Sequence, residues 1–153
     1  MRIYLDNCCY NRPYDDQTQI RISLETDAKL HIQDEIRNGK YELVVSYMLT
    51  FENSRNRVET KKKAIQQFME DNAVIYIDES RSEETEKLAK EIQETGVKSA
   101  DSIHTACAIL AHCDYLLTTD DRLLKYQSDK IRIVDPTEFV RLMDGGDEDD
   151  LSE

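Results

Sequence analysis

Four carboxylates in this sequence fall where alternating strands and helices would bring them together: Asp6, Glu52, Asp101 and Asp120. Asp6 and Asp120 each end an apolar run that is typical of a buried strand. Asp101 opens a helical segment, and Glu52 lies about one helical turn beyond another apolar run. Carboxylates that gather in one place repel one another unless a cation binds between them. The pattern predicts a site for a hard divalent cation and metal-assisted phosphodiester chemistry.

The elements that would position these carboxylates follow from hydrophobic periodicity. The sequence predicts strands over residues 2–6, 41–45, 73–78, 115–119 and 131–134, and helices over residues 17–37, 47–57, 60–71, 80–95, 100–111 and 137–143, with a short turn or helix over residues 122–126. Strands that alternate with helices favour parallel crossover connections. We therefore expect a three-layer α/β/α sandwich with a central parallel sheet of about five strands. The carboxyl ends of those strands would carry the acidic site.

Three local features refine this prediction. Residues 7–16 are polar and contain a proline, which indicates a loop. Ser99 is a favourable N-cap for the helix that carries Asp101. The long helix over residues 17–37 is expected to bury a stripe with a spacing of four, formed by Ile20, Leu24, Ala28, Ile32 and Ile36.

The length and the charge distribution of the chain indicate its domain organisation. The 153 residues suit one domain, which we place at residues 1–143. Residues 144–153 contain six acids and no base, so they are predicted to form a disordered acidic tail. The net charge of −12 argues against a non-specific nucleic-acid binder, although metal-neutralised carboxylates remain compatible with a nucleic-acid substrate. The main basic concentration along the chain is Lys61-Lys62-Lys63.

Cysteine spacing and hydropathy indicate a cytoplasmic protein. None of the four cysteines forms a C-x-x-C pair, so reduced thiols are favoured over zinc or redox motifs. No apolar run is long enough to cross a bilayer, and the first residues enter a strand instead of an apolar leader. We therefore expect no membrane association.

Four short motifs in order carry a resemblance to a known family. They are Ile3-Tyr4-Leu5-Asp6-Asn7, Leu49-Thr50-Phe51-Glu52-Asn53, Ala100-Asp101-Ser102-Ile103-His104-Thr105-Ala106 and Leu116-Leu117-Thr118-Thr119-Asp120-Asp121. Through them the chain resembles PIN-domain proteins and is similar to the VapC-type toxins of prokaryotic toxin–antitoxin modules. The resemblance extends over residues 1–143.

The resemblance implies a metal-dependent ribonuclease that uses Mg²⁺ or Mn²⁺. By carry-over, Asp6, Glu52, Asp101 and Asp120 would be both the catalytic and the metal-binding acids, with Asp121 as an auxiliary ligand. Hydrolysis would then leave a 5′-phosphate and a 3′-hydroxyl. The implied partners are an RNA substrate, a small antitoxin protein and a second copy of the chain in a homodimer.

Four further residues are candidates for substrate contact, each with an ordinary structural alternative. Arg12 could contact a phosphate, although loop arginines are commonly solvated. His104 shares a helix face with the third carboxylate and could orient it or touch RNA, or simply be packed. Thr118 could bind a phosphate or have a purely structural role in its strand. Asn7 belongs to the first motif. The run Asn7-Cys8-Cys9 departs from the pattern of many such toxins.

Two other functions stay open at this stage. One is a non-catalytic PIN-like module that binds RNA or protein without cutting it. The other is a haloacid-dehalogenase-like phosphatase, for which Asp6 is well placed. That chemistry needs a second aspartate two residues later, and Cys8 stands there.

Overall fold

A computed structural model describes the backbone of residues 1–152 and the side chains of residues 1–145. The strands are β1 (Arg2–Leu5), β2 (Glu42–Ser46), β3 (Ala73–Ile77), β4 (Tyr115–Leu117) and β5 (Arg132–Val134). The helices are α1 (Asn7–Asn11), α2 (Ile20–Arg37), α3 (Tyr47–Ser54), α4 (Glu59–Asn72), α5 (Ser82–Gln93), α6 (Ser99–Leu110), α7 (Asp121–Leu124) and α8 (Pro136–Ser152). Short 3₁₀ helices at Arg12–Tyr14 and Glu79–Arg81 complete the order.

The five strands form one parallel sheet in the order β3-β2-β1-β4-β5. The central strand β1 pairs with β2 on one side and with β4 on the other. The register sets Tyr4 opposite Val44 and Leu5 opposite Leu117. Since parallel strands all point the same way, the residues that follow β1, β2 and β4 meet at one edge of the sheet.

The core is centred on the three inner strands. Ile3, Tyr4 and Leu5 of β1 have no solvent exposure, and neither do Leu116 and Leu117 of β4. Helices cover both sides of the sheet, so these strands are buried on both faces. Their sequences are continuous apolar runs for that reason. This arrangement confirms the predicted α/β/α fold class.

Two sequence predictions about the first half of the chain were wrong. Residues 7–16 contain helix α1 and a 3₁₀ turn instead of a loop, because the side chain of Asp6 caps the backbone of Asn7. In α2 the expected stripe fails at its start, since Ile20 is 78% exposed and Leu24 is 54% exposed. The polar residues Glu25 and Lys29 are buried in their place.

Helix α8 begins where the sequence predicted and continues to Ser152. The predicted disordered tail begins at residue 144, and most of it lies outside the residues whose side chains are described. Its character therefore stays a prediction, as does the domain boundary at residue 143. Among the described residues, no helix has the length and apolar character needed to span a membrane.

Candidate metal centre

Asp6 is held at the carboxyl end of the central strand by three donors. Its Oδ1 accepts a hydrogen bond from the backbone N–H of Asn7 at 2.8 Å. Its Oδ2 accepts one from Thr118 Oγ1 at 2.8 Å and a longer one from Cys8 Sγ at 3.4 Å. The carboxylate is only 5% exposed. Charge-assisted bonds of this kind fix the orientation of a buried carboxylate.

Glu52 reaches the same place from α3, and His104 of α6 holds it there. The Nε2 atom of His104 lies 2.5 Å from Glu52 Oε1 and 3.7 Å from Asp6 Oδ1. Because an ionised carboxylate can only accept, Nε2 carries a hydrogen and donates it to Glu52. One ligand atom from each of these three residues lies within 4.8 Å of the other two.

His104 is itself held by a buried hydrogen-bond chain. Its Nδ1 lies 2.6 Å from the hydroxyl of Tyr4, and that hydroxyl lies 2.6 Å from Ser46 Oγ. Burial alone would lower the pKa of His104, but the hydrogen bond with Glu52 and the charge of Asp6 raise it above its usual range. Burial raises the pKa of Tyr4 well above its ordinary value, so this residue stays a neutral phenol.

Asp101 and Asp120 complete the acidic group electrostatically. Asp101 lies in the first turn of α6 and is half-buried, whereas Asp120 caps α7 by accepting a bond from Arg122 N at 2.9 Å. The pKa of Asp101 is raised to about 6, first by burial and then by the negative charges of Asp6 and Asp120. This mutual repulsion shows that the carboxylates share one local field.

No lysine or arginine forms an ion pair with these four acids among the described side chains, residues 1–145, and Lys98 acts on Asp101 only from beyond ion-pair distance. His104 is the only basic side chain there that forms an ion pair with Asp6 or Glu52, and no ion pair involves Asp101 or Asp120. A cluster of oxygen donors without a lysine or arginine ion pair suits a hard divalent cation, and the carboxylates therefore fit Mg²⁺ or Mn²⁺. Both ring nitrogens of His104 are used, by Glu52 and by Tyr4, so this residue orients a carboxylate instead of binding the ion.

Asp121 and Arg12 were expected near the site, but other contacts hold them. The carboxylate of Asp121 accepts two bonds from Arg21 of α2, at 3.0 and 2.8 Å, and it is exposed. The Arg12 guanidinium lies 2.9 Å from the buried carboxylate of Glu25 and 3.1 Å from Asp15. Arg21 also reaches Glu25, at 3.3 Å. These residues fasten α2 to the rim of the site and are not gathered with the other acids.

The remaining candidates are divided between the site and its support. Thr118 is buried and bonds Asp6, and its Oγ1 also accepts from the backbone of Asp120 at 3.1 Å. Asn7 accepts bonds from Asn11 Nδ2 through its backbone oxygen and its Oδ1. Thr118 thus links the carboxylate of Asp6 to the backbone of Asp120, whereas Asn7 stabilises the turn of α1 beside them.

The sequence did not indicate the supporting roles of Tyr4, Ser46 and Cys8. Tyr4 precedes Asp6 by two residues, so strand periodicity could have placed both on one face. The Cys8 thiol accepts a bond from the backbone of Thr119 at 3.3 Å, which depends on a pairing between distant segments. Contacts of that kind leave no local signal in the sequence.

Comparison of the sequence with known families gives one match. The model of the PIN domain matches residues 9–128, which contain Glu52, Asp101 and Asp120. Asp6 precedes the matched range by three residues. No curated protein sequence matches this chain significantly.

Solved structures share the fold at low sequence identity. The VapBC2 complex of Rickettsia felis, bound to a promoter DNA fragment, contains a chain with 13% identity and a TM-score of 0.55, and the match covers 87% of this chain and 97% of that one. FitAcB from Neisseria gonorrhoeae gives 14% identity and a TM-score of 0.54 over 88% of this chain and 97% of that one. The FitAB complex with a DNA fragment gives 15% identity and a TM-score of 0.57, and the match covers 88% of this chain and 95% of that one.

Proposed function

This chain belongs to the PIN domain family, and we propose that it is a divalent-metal-dependent endoribonuclease that acts as the toxin of a toxin–antitoxin pair. One observation carries the proposal. Asp6 and Glu52 lie together at the carboxyl edge of the sheet, and the charges of Asp6 and Asp120 raise the pKa of Asp101. None of these four acids forms an ion pair with a lysine or arginine among the described side chains, which supports a cation as their partner.

Mg²⁺ or Mn²⁺ would be held by Asp6, Asp101 and Asp120, with Glu52 beside Asp6. A divalent cation in such a site lowers the pKa of a water molecule and neutralises charge on the phosphate. The other contributions come from the chain itself. Thr118 and the N–H of Asn7 fix Asp6, and His104 fixes Glu52 so that its carboxylate can orient an attacking water.

The partners follow from the family and its structural relatives. The similar solved structures described above are VapBC2, FitAcB and FitAB. The VapBC2 and FitAB structures contain a DNA fragment. These relatives support a small antitoxin as the protein partner of this chain. RNA as the substrate, and a homodimer as the assembly, extend the same proposal.

The proposal is tested by incubating the purified chain with single-stranded RNA in Mn²⁺, Mg²⁺ or EDTA. We expect cleavage with either metal, none in EDTA, and products with 5′-phosphate ends. Asp101→Asn should lower the cleavage rate at least 100-fold, because it removes one charge from the metal-binding group. Asp27→Asn, an exposed acid of α2, is the matched control and should cleave like the wild type.

Undiminished cleavage in EDTA would rule out the metal mechanism. Binding of RNA without cleavage at any metal concentration would favour a non-catalytic binding module.

A further inference from the structure

A cavity of about 360 Å³ lies beside Asp101, and three of the side chains that line it are cationic. Its walls come from the α5–α6 connection, the first turn of α6, and α7 with the residues that follow it. The charged residues that line it are Lys98, Asp101, Arg122 and Lys125. Three cations from two distant segments therefore share one space next to a carboxylate of the candidate metal centre.

These three cations are not used in ion pairs among the described side chains. None of the three, Lys98, Arg122 or Lys125, lies within ion-pair distance of an acid in residues 1–145. Lys98 and Lys125 act on Asp101 and Asp121 only from beyond ion-pair distance. In a chain with a net charge of −12, three cations that form no ion pair favour an anionic ligand.

The backbone adds to the positive potential of this cavity. Lys98 occupies the cap position of the 12-residue helix α6, and no side chain caps the helix there. Ser99, the cap expected from the sequence, is instead the first residue of the helix. The amino end of a helix carries partial positive charge and free N–H groups, so it strengthens the attraction that the three side chains exert.

We propose that this cavity is the subsite for one nucleotide of single-stranded RNA adjacent to the scissile phosphate, an inference that rests on the proposed function. Lys98, Arg122 and Lys125 hold the phosphodiester backbone. The volume lies near the lower end for ligand sites, which suits one nucleotide. Tyr126 and Gln127 also line the cavity and supply an aromatic ring and an amide for the base or ribose.

The test measures binding of a 5′-fluorescein single-stranded RNA by anisotropy in EDTA, where the proposed nuclease is inactive. The variant K98Q/R122Q/K125Q is compared with K87Q/K90Q/K130Q, which removes the same charge elsewhere. Lys87 and Lys130 of the control line a different cavity, together with His112 and Asp114 at the amino end of β4. Circular dichroism and Tm establish that both variants are folded.

We expect the cavity variant to bind RNA at least tenfold more weakly at low salt, and the control to stay within twofold of the wild type. The slope of log Kd against log salt should fall by about 2 in the cavity variant, since it removes three contacts and each contact to a single strand contributes roughly 0.7. The single variant Lys125→Gln should lose two- to threefold. In Mn²⁺, the KM for cleavage should rise more than kcat falls.

The outcomes separate this inference from the proposed function. Weaker binding in the cavity variant, with a wild type that never cleaves, would support the subsite and reject the nuclease. Cleavage by the wild type with unchanged binding and KM in the cavity variant would overturn the subsite and leave the nuclease intact. Equal losses in the two triple variants would also overturn it, and so would a wild type that binds no RNA.

Discussion

At the scale of single residues, the candidate centre depends on side chains that hold the carboxylates in place. Asp6 is bonded by Thr118 and Asn7, and Glu52 is bonded by His104, which is only 1% exposed. Each support is buried or partly buried, so its loss would leave a polar group without a partner. Such supporting contacts influence metal affinity almost as strongly as the ligands themselves.

Tyr4 and Tyr10 offer a matched pair for testing this buried network. Tyr4→Phe removes the hydroxyl that bonds His104 and Ser46, and it should lower the free energy of unfolding by about 1–3 kcal/mol. The hydroxyl of Tyr10 is buried without a hydrogen-bond partner in the described structure, so Tyr10→Phe should be neutral or slightly stabilising. Urea denaturation measures both, and equal losses in the two variants would contradict the network.

At the scale of elements, the ends of the strands determine which residues meet. β1 leads directly into Asp6 and β4 into Thr118, and β2 ends with the supporting residue Ser46. Arg21 then fastens α2 to the rim, because its guanidinium bonds both Asp121 and the carbonyl of Thr119 at 3.0 Å. Asp120 lies between these two anchored residues, so the position of α2 influences the metal centre.

Releasing this clamp should weaken metal binding more than it weakens the fold. Arg21→Met removes the exposed contacts with Asp121 and a 3.3 Å contact with Glu25. The buried Glu25 carboxylate keeps Arg12 at 2.9 Å, so the change should cost about 1 kcal/mol of stability. We expect Mn²⁺ affinity, measured by electron paramagnetic resonance titration, to fall roughly tenfold as for other outer contacts of metal sites. Arg37→Met, on the same helix and paired with exposed Asp34, is the control and should bind Mn²⁺ like the wild type. Unchanged affinity in the Arg21 variant would exclude the clamp.

Periodicity predicted the strands well because β1, β2 and β4 are continuous apolar runs buried on both faces. It failed in α2, where the spacing favoured Ile20 and Leu24 for the core although both are exposed. There the buried charge of Glu25 is stabilised by Arg12 and by Arg21, a tertiary arrangement that hydrophobicity does not encode. Local chemistry thus identifies elements, and long-range pairing decides which face they bury.

The candidate site could be predicted only as far as the ends of the strands could be predicted. The four acids follow from position in the sequence, and so does the proximity of His104 to Asp101 on one helix. The cationic cavity was not predictable, because Lys98 and Lys125 come from segments that only the folded sheet brings together. Along the sequence, the more conspicuous basic group is the lysine run at residues 61–63.

At the scale of the whole molecule, the distribution of charge matters more than its sum. The net charge of −12 opposes RNA binding at long range, whereas unpaired cations line the cavity next to the acidic centre. The metal-free fold also carries an electrostatic cost at that centre. The raised pKa of Asp101 reports this cost directly.

That cost should appear in the pH dependence of global stability. The pKa of Asp101 rises from 3.8 to about 6 on folding, so the folded state binds more protons in this window and its stability falls as the pH rises through it. Two pKa units correspond to about 3 kcal/mol. Screening at this half-buried group reduces the expected effect to about 1 kcal/mol.

Asp101→Asn should therefore stabilise the metal-free protein by about 1 kcal/mol at pH 7.5 and by little at pH 4. Urea denaturation in EDTA measures this difference, and Asp27→Asn should show none. Adding Mn²⁺ should reverse the order, because only the wild type retains the full set of ligands and gains the binding free energy. A variant that is less stable than the wild type at pH 7.5 in EDTA would contradict the shared field.

Because β1 lies at the centre of the sheet, its position affects when the candidate metal centre can assemble during synthesis of the chain. Asp6 leaves the ribosome early, but Thr118, the residue that fixes it, is 112 positions further along. β1 also needs β4 as its neighbour, and contacts so distant in sequence form late. A nascent chain shorter than roughly 120 residues lacks the second half of the centre, so synthesis itself delays any nucleolytic action until nearly the whole domain has been translated.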